Sequence, residues 1–316
     1  MAGGSNILEL IPFIAGAFIA FSIGSNDTSN SYGISIGCGI LSFRRAIYLL
    51  FFLVFLGIVL QGQKVMRTVG SELVDLNIHI ISISLIISSI AIILSNWKKL
   101  PVSSHQAIVS SLVGSGLAFG VSVDFNTLIR IVESWVISPV SAFFASVIVY
   151  RIMESVVSKM PPLKVERAVR YLLLLSGSLI AYNTGANELA TALGPIVCYG
   201  LLTPLQAGIA GTALLWLGAY LLGSRVVETV GKGITSLDPF SGFSAQMGAG
   251  ISVLLFTSLG MPISTTYCII GGVTGVGILK STKTIRSPFL KKIFLSWVIT
   301  PLTAMILGYS ISSLLA

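Results

Sequence analysis

A run of small and polar residues interrupts an otherwise apolar stretch near the start of the chain, and the same run occurs twice. The first copy is Gly24-Ser25-Asn26-Asp27-Thr28-Ser29-Asn30-Ser31-Tyr32-Gly33, with apolar residues leading in from Ile11 to Ile23 and resuming from Ile34 to Leu41. The second, Gly185-Ala186-Asn187-Glu188-Leu189-Ala190-Thr191-Ala192-Leu193-Gly194, follows at an interval of 161 (188 − 27). Asn and an acid hold the same two positions in both, and Asp27 is the only charge between Glu9 and Arg44. A carboxylate at membrane depth costs about 3 kcal/mol or more unless it is paired or lines a wet cavity, so it marks a solute or ion site by default. Glycines at both ends and polar side chains between them predict a broken helix, whose opened backbone finds partners inside the protein. The alternative is a kinked helix whose polar groups bond one another.

Composition explains why membrane depth is the relevant frame. With a mean hydropathy of +0.95 and 9% charged residues, the chain falls far below the roughly 25% charged residues of soluble domains. At about 20 residues per span, it has room for about ten crossings. The formal charge of +8 therefore concerns topology and lipid headgroups, and nucleic acid is not an expected partner. Cys38, Cys198 and Cys268 lie in apolar contexts with neither metal-ligand nor disulfide spacing. The first segment lacks a basic leader and a cleavage site, which predicts a retained helix.

The offset of 161 extends well beyond the polar motif. Gly39 to Ser42 maps onto Gly200 to Thr203, Thr68 to Gly70 onto Thr229 to Gly231, and Leu100 to Ser104 onto Met261 to Thr265. After one inserted residue, Ser134 to Pro139 maps onto Ser296 to Pro301. The chain reads as two copies, 1–158 and 171–316, joined by a linker over 159–170 (KMPPLKVERAVR). Each copy holds five apolar segments: 8–40, 45–61, 78–96, 101–121 and 135–156, then 171–201, 205–222, 240–259, 262–279 and 293–315. An odd number of segments per copy makes the second copy enter the bilayer from the opposite face, an inverted-topology repeat. With both termini outside, 16 of the 19 Lys and Arg residues fall in inside loops, and only Lys64, Arg67 and Arg130 lie outside. The fold class expected is therefore an all-α polytopic membrane protein, ten transmembrane segments in two inverted repeats with broken helices or re-entrant hairpins.

A second constellation is also duplicated. Pro101-Val102-Ser103-Ser104-His105-Gln106 and Pro262-Ile263-Ser264-Thr265-Thr266-Tyr267 each open an apolar run. Proline followed by Ser or Thr marks a helix start. Such a start offers free backbone N–H groups and about half a positive charge, which suits an anion. The competing explanation is that these small residues only let helices pack closely. His105 is a secondary candidate, because its counterpart is Thr266; His79 starts a span and reads as interfacial. Trp135 and Trp297 begin the last segment of each copy, where an aromatic belt is the ordinary expectation.

These residues resemble the PiT-type inorganic phosphate transporters. That family's signature is a Gly-Ala/Ser-Asn-Asp-x-x-Asn motif in both halves, with a later Pro-x-Ser-Thr-Thr-His element and a Trp-x-x-Ser/Thr-Pro element near the end of each. Gly24 to Asn30 matches the first motif closely. In the second copy Glu188 stands for the family's Asp and Thr191 for its Asn, and the motif histidine is Gln106 in one half and Tyr267 in the other. The resemblance covers nearly the whole chain. It implies phosphate import by alternating access, coupled to sodium or protons, and some members carry sulfate. It implies cation-binding roles for Asn26, Asp27, Asn30, Asn187, Glu188 and Thr191. Ser103, Ser104, Ser264, Thr265 and Thr266 would meet the anion, with Asp27 joining them if protonated.

The function expected is thus secondary active import of inorganic phosphate across the cytoplasmic membrane, with sodium favoured over the proton as coupling ion and no other cofactor. The partners are phosphate, the cation and the bilayer, and a homodimer is compatible with the sequence. Sulfate transport by the same machine is the nearest alternative. An intramembrane aspartyl-type enzyme using Asp27 and Glu188 as a dyad leaves the paired Pro-Ser elements unexplained. A passive anion channel would need no cation gradient.

Overall fold

In lipid a chain must satisfy its own backbone hydrogen bonds, and apolar runs punctuated by Gly and Pro do so as helices. The computed structural model describes residues 3–98, 103–234, 238–280 and 287–316, and the side chains of 3–7, 26–28, 95–98, 225–234 and 287–294 fall outside that description. Helices run in the order α1 (Gly3–Gly37), α2 (Phe43–Leu60), α3 (Gly62–Arg67), α4 (Ile78–Lys98), α5 (Ser104–Ala118) and α6 (Phe125–Val157). They continue as α7 (Pro162–Asn183), α8 (Ala190–Cys198), α9 (Pro204–Ile234), α10 (Pro239–Ser258), α11 (Thr265–Lys280) and α12 (Ser287–Ser312). Two π-helical stretches, Thr68–Glu72 and Thr184–Leu189, follow α3 and α7. Among the described residues the only strand-like pairing is one isolated bridge, Val74 to Val123.

Each of the ten apolar segments expected from sequence is occupied by helix. Six helices among the described residues are long and apolar enough to cross a membrane: Leu8–Gly37, Phe43–Leu60, Phe125–Val157, Pro204–Ser224, Pro239–Ser258 and Leu295–Ser312. The 15 residues of α5 reach only about 22 Å at 1.5 Å per residue, short of an apolar core of about 30 Å. Its first turn is buried, with Ser103 and Gln106 at most 3% exposed, while Leu117 at its far end is open. This helix starts inside the protein and ends at the surface.

Equivalent positions of the two copies end their first helices in the same way. Gly39 (φ 66) and Gly200 (φ 88) adopt the left-handed conformation that closes α1 and α8. Ile40 N–H reaches back to Ser35 O, and Leu201 N–H to Ile196 O.

The copies are interleaved rather than laid side by side. α1 packs against α9 and α2 against α7; α5 packs on α12 and α11 on α6. Four glycines show how close these contacts are. A Cβ added at Gly24 would lie 1.7 Å from Leu215 O, and one at Gly185 would lie 1.9 Å from Val54 O. Added at Gly57 it would lie 2.0 Å from Tyr182 O, and at Gly218 2.0 Å from Phe21 O. Every one of these contacts has its counterpart 161 residues away. Such backbone-to-backbone approach is how helices associate where lipid removes the hydrophobic drive between them. α1 runs antiparallel to α7 and α8: Ser35 and Tyr32 meet Leu173 and Ser178 at one end, and Gly16 faces Leu193 and Ile196 at the other.

One expectation is corrected here. The first polar motif does not break its helix, since α1 is continuous from Gly3 to Gly37. The second motif forms a π-helical turn joined to helix on both sides, not an opening. Gly24 and Gly185 serve close packing, and hydroxyls bond back into the helix, as Ser25 Oγ does to Ser22 O at 2.8 Å. Here the kinked-helix alternative describes the backbone better.

Candidate functional site

The two Pro-Ser elements begin helices, as their chemistry requires. Ser103 Oγ accepts from Gln106 N at 3.5 Å, and Ser264 Oγ accepts from Tyr267 N at 3.4 Å. These caps leave the N–H groups of the intervening first-turn residues without intrahelical acceptors. Ser103, Ser264 and Thr265 are buried, while Ser104 and Thr266 are half-buried. The buried Thr265 hydroxyl has no hydrogen-bond partner among the described residues. The two helix starts meet: Tyr267 OH donates to Gln106 Oε1 at 3.5 Å, and these residues hold the same position in the two copies. The tyrosine hydroxyl also lies 3.5 Å from Ser296 Oγ, and its ring packs on Trp297.

The first motif reaches α11 through Asn30, whose Nδ2 donates to Thr266 Oγ1 at 3.1 Å. The side chains of Asn26 and Asp27 lie outside the described residues. The backbone at Asn30 is held by a residue that sequence analysis missed. Gln246 Nε2 donates to Asn30 O and Ser31 O, both at 2.8 Å, while its Oε1 accepts from Ser176 Oγ. Ser29, Asn30, Ile34, Ala245, Gln246, Ile269 and Val273 line a cavity of about 20 Å³. That volume holds about one water molecule. No repeat signal marks Gln246, because its counterpart is Leu85.

The second motif is packed from all sides. Asn187 Nδ2 donates to Thr257 Oγ1 at 2.8 Å and Met261 O at 2.9 Å, and its Oδ1 accepts from Ile263 N at 3.1 Å. Thr191 Oγ1 donates to Asn187 O at 2.8 Å. Glu188 is 4% exposed, and its Oε2 has no hydrogen-bond partner among the described residues. His105, 1% exposed, lies against the side chain and backbone of Asn187 and within electrostatic reach of Glu188. Asn183, also missed from sequence, donates to Gly250 O at 2.9 Å, and its buried Oδ1 has no partner among the described residues.

The tryptophan expectation is corrected at Trp135. Trp135 is buried, and its Nε1 donates to Pro262 O at 2.8 Å; it is an internal clamp, not a belt residue. His79 is exposed and stacks on Phe119.

Together these elements place two helix starts, hydroxyls and amides around a buried carboxylate. Neutral donors at helix starts can replace the hydration shell of an anion. A carboxylate and amide oxygens are ligands suited to a hard cation. No group of three or more His, Cys, Asp or Glu side chains forms a metal cluster among the described residues.

Comparison with known proteins agrees with this chemistry. A model of the phosphate transporter family matches residues 23–308. A protein of Methanocaldococcus jannaschii named "Putative phosphate permease" is 35% identical over 305 residues, covering 96% of this chain and 97% of its own. A sulfate permease of Bacillus subtilis is 28% identical, with 97% of this chain and 88% of that protein covered. A solved structure titled a sodium-dependent phosphate transporter superposes with a TM-score of 0.86 at 26% identity, covering 98% of this chain and 99% of that one.

Proposed function

Because this chain belongs to the phosphate transporter family, a family of transporters and not of enzymes, we propose that it imports inorganic phosphate by cation-coupled alternating access. The observation that carries the proposal is the meeting of the two anion-suited helix starts, through Gln106 and Tyr267, with both polar motifs packed against them. The first turns of α5 and α11, with Ser103, Ser104, Ser264, Thr265 and Thr266, take the anion. Asp27 and Glu188 take the cation, with Asn26, Asn30, Asn187 and Thr191 around them. Sodium is favoured over the proton, because amide and hydroxyl oxygens accompany both acids; the sodium-dependent structural neighbour supports this choice.

Residues 1–158 and 171–316 act as two inverted copies, joined by the 159–170 linker on the cytoplasmic side, with both termini outside and ten segments in the membrane. The antiparallel course of α1 against α7 and α8 supports the inversion, as does the exchange of equivalent contacts between copies. α5 and α11 are its re-entrant elements. One copy rocking against the other exposes the site to each side in turn.

Purified protein in liposomes tests this directly. Labelled phosphate accumulates when an inward sodium gradient is imposed. Accumulation driven equally well by a proton gradient without sodium would replace the coupling ion, and flux that only dissipates the phosphate gradient would make the protein a channel. The Bacillus subtilis relative keeps sulfate as a second reading. Strong inhibition of transport by sulfate, with phosphate ineffective as a competitor, would reverse the substrate.

A further inference from the structure

One peptide unit lies between the two motifs and is gripped at both ends. It joins Pro262 to Ile263, in the turn that leads into α11. Its carbonyl oxygen accepts from Trp135 Nε1 at 2.8 Å, and its N–H donates to Asn187 Oδ1 at 3.1 Å. Asn187 also holds the preceding carbonyl, Met261 O, at 2.9 Å. Trp135 belongs to α6 in the first copy, whereas Pro262 and Asn187 belong to the second. The indole is 8% exposed, and the Asn187 and Ile263 side chains are fully buried. A peptide plane held by its oxygen on one side and its nitrogen on the other has little freedom to rotate. Two residues later Ser264 and Thr265 begin the helix, so the plane's orientation sets where the first-turn N–H groups and the Thr265 hydroxyl point.

We propose that Trp135 is a positioning residue for the anion: through the Pro262–Ile263 peptide it aims the first turn of α11, and it shares that peptide with the Asn187 side chain of the cation motif. This rests on the transport function proposed above and adds a cross-copy clamp to it. Anion affinity is then sensitive to Trp135 although the indole touches no substrate. Movement of the second motif is passed to α11 through the same peptide.

Two variants separate the hydrogen bond from the packing. Trp135→Phe removes the donor and part of the ring, and replacing the indole with benzothienylalanine removes the donor while keeping the shape. Both are reconstituted beside the wild-type protein. The expected result is a phosphate KM raised about fivefold to tenfold in both, with the sodium concentration for half-maximal uptake unchanged. Backbone hydrogen exchange, measured on the same samples, is expected to speed up over 263–268 and not in α5. A purely structural role would lower the yield of folded protein and Vmax with KM unmoved, and that outcome overturns the proposal, as does unchanged exchange over 263–268. Absence of phosphate uptake in the wild type would sink the transport function instead, while the exchange measurement still decides whether Trp135 orders this helix start.

Discussion

Glu188 keeps one buried carboxylate oxygen without a hydrogen-bond partner among the described residues, beside His105 and Asn187. A buried carboxylate oxygen without a partner calls for an explanation, and a bound cation is the one that the proposed function supplies. Glu188→Gln keeps the shape and removes the charge. Sodium-driven phosphate accumulation is expected to fall at least about tenfold, equivalent to roughly 1.4 kcal/mol of lost coupling. Uptake at wild-type levels in that variant would remove Glu188 from the cation site. Asn187→Ala strands the Ile263 N–H and two acceptors, at about 1–3 kcal/mol for each buried group left unmade. A clear fall in apparent Tm in detergent is expected even without ligand. Asn187 and Glu188 were legible because a repeat doubles their signal. Gln246 was not, because its three bonds reach Ser176, Asn30 and Ser31, residues that lie far off in sequence, and its repeat counterpart is an apolar Leu85.

Helices form where the apolar runs predicted them, and both Pro-Ser elements cap theirs. Local chemistry suffices there: a serine oxygen needs only a backbone N–H three residues on. The polar motifs misled because glycine among polar residues has two uses, an opened backbone or close approach to another helix. Only the partner decides between them. At Gly24 that partner is the Leu215 carbonyl and at Gly185 the Val54 carbonyl, so the helical backbone is retained. Gly185→Val would drive a side chain into Val54 O, against backbone that cannot rotate away as a flexible side chain could. Loss of monodisperse protein on size-exclusion chromatography is expected. Gly39→Val strains only a left-handed turn with open space around it, and should leave the protein monodisperse with a modestly lowered Tm.

Across the whole molecule, interleaving makes each copy complete the other: neither α1 nor α5 has its main packing partner in its own half. Separately expressed halves should therefore be unstable alone and recover transport when co-expressed. The orientation of the first copy has its own test in a cysteine-free background. Ser122→Cys, in the loop before α6, is expected to react with a membrane-impermeant maleimide from outside, and Ser158→Cys only after the membrane is opened. Labelling of both from the same side would refute a full crossing by α6.

The sequence by itself determined the helical class, the duplication, the repeated Asn-acid pair and the helix starts, because each follows from hydropathy, local capping or repetition. The tertiary structure alone decided that the motifs stay helical, that Trp135 turns inward to Pro262, and that Gln246 and Asn183 belong near the site. Those outcomes depend on which backbone atoms arrive from the other copy, and no local pattern of residues encodes that meeting.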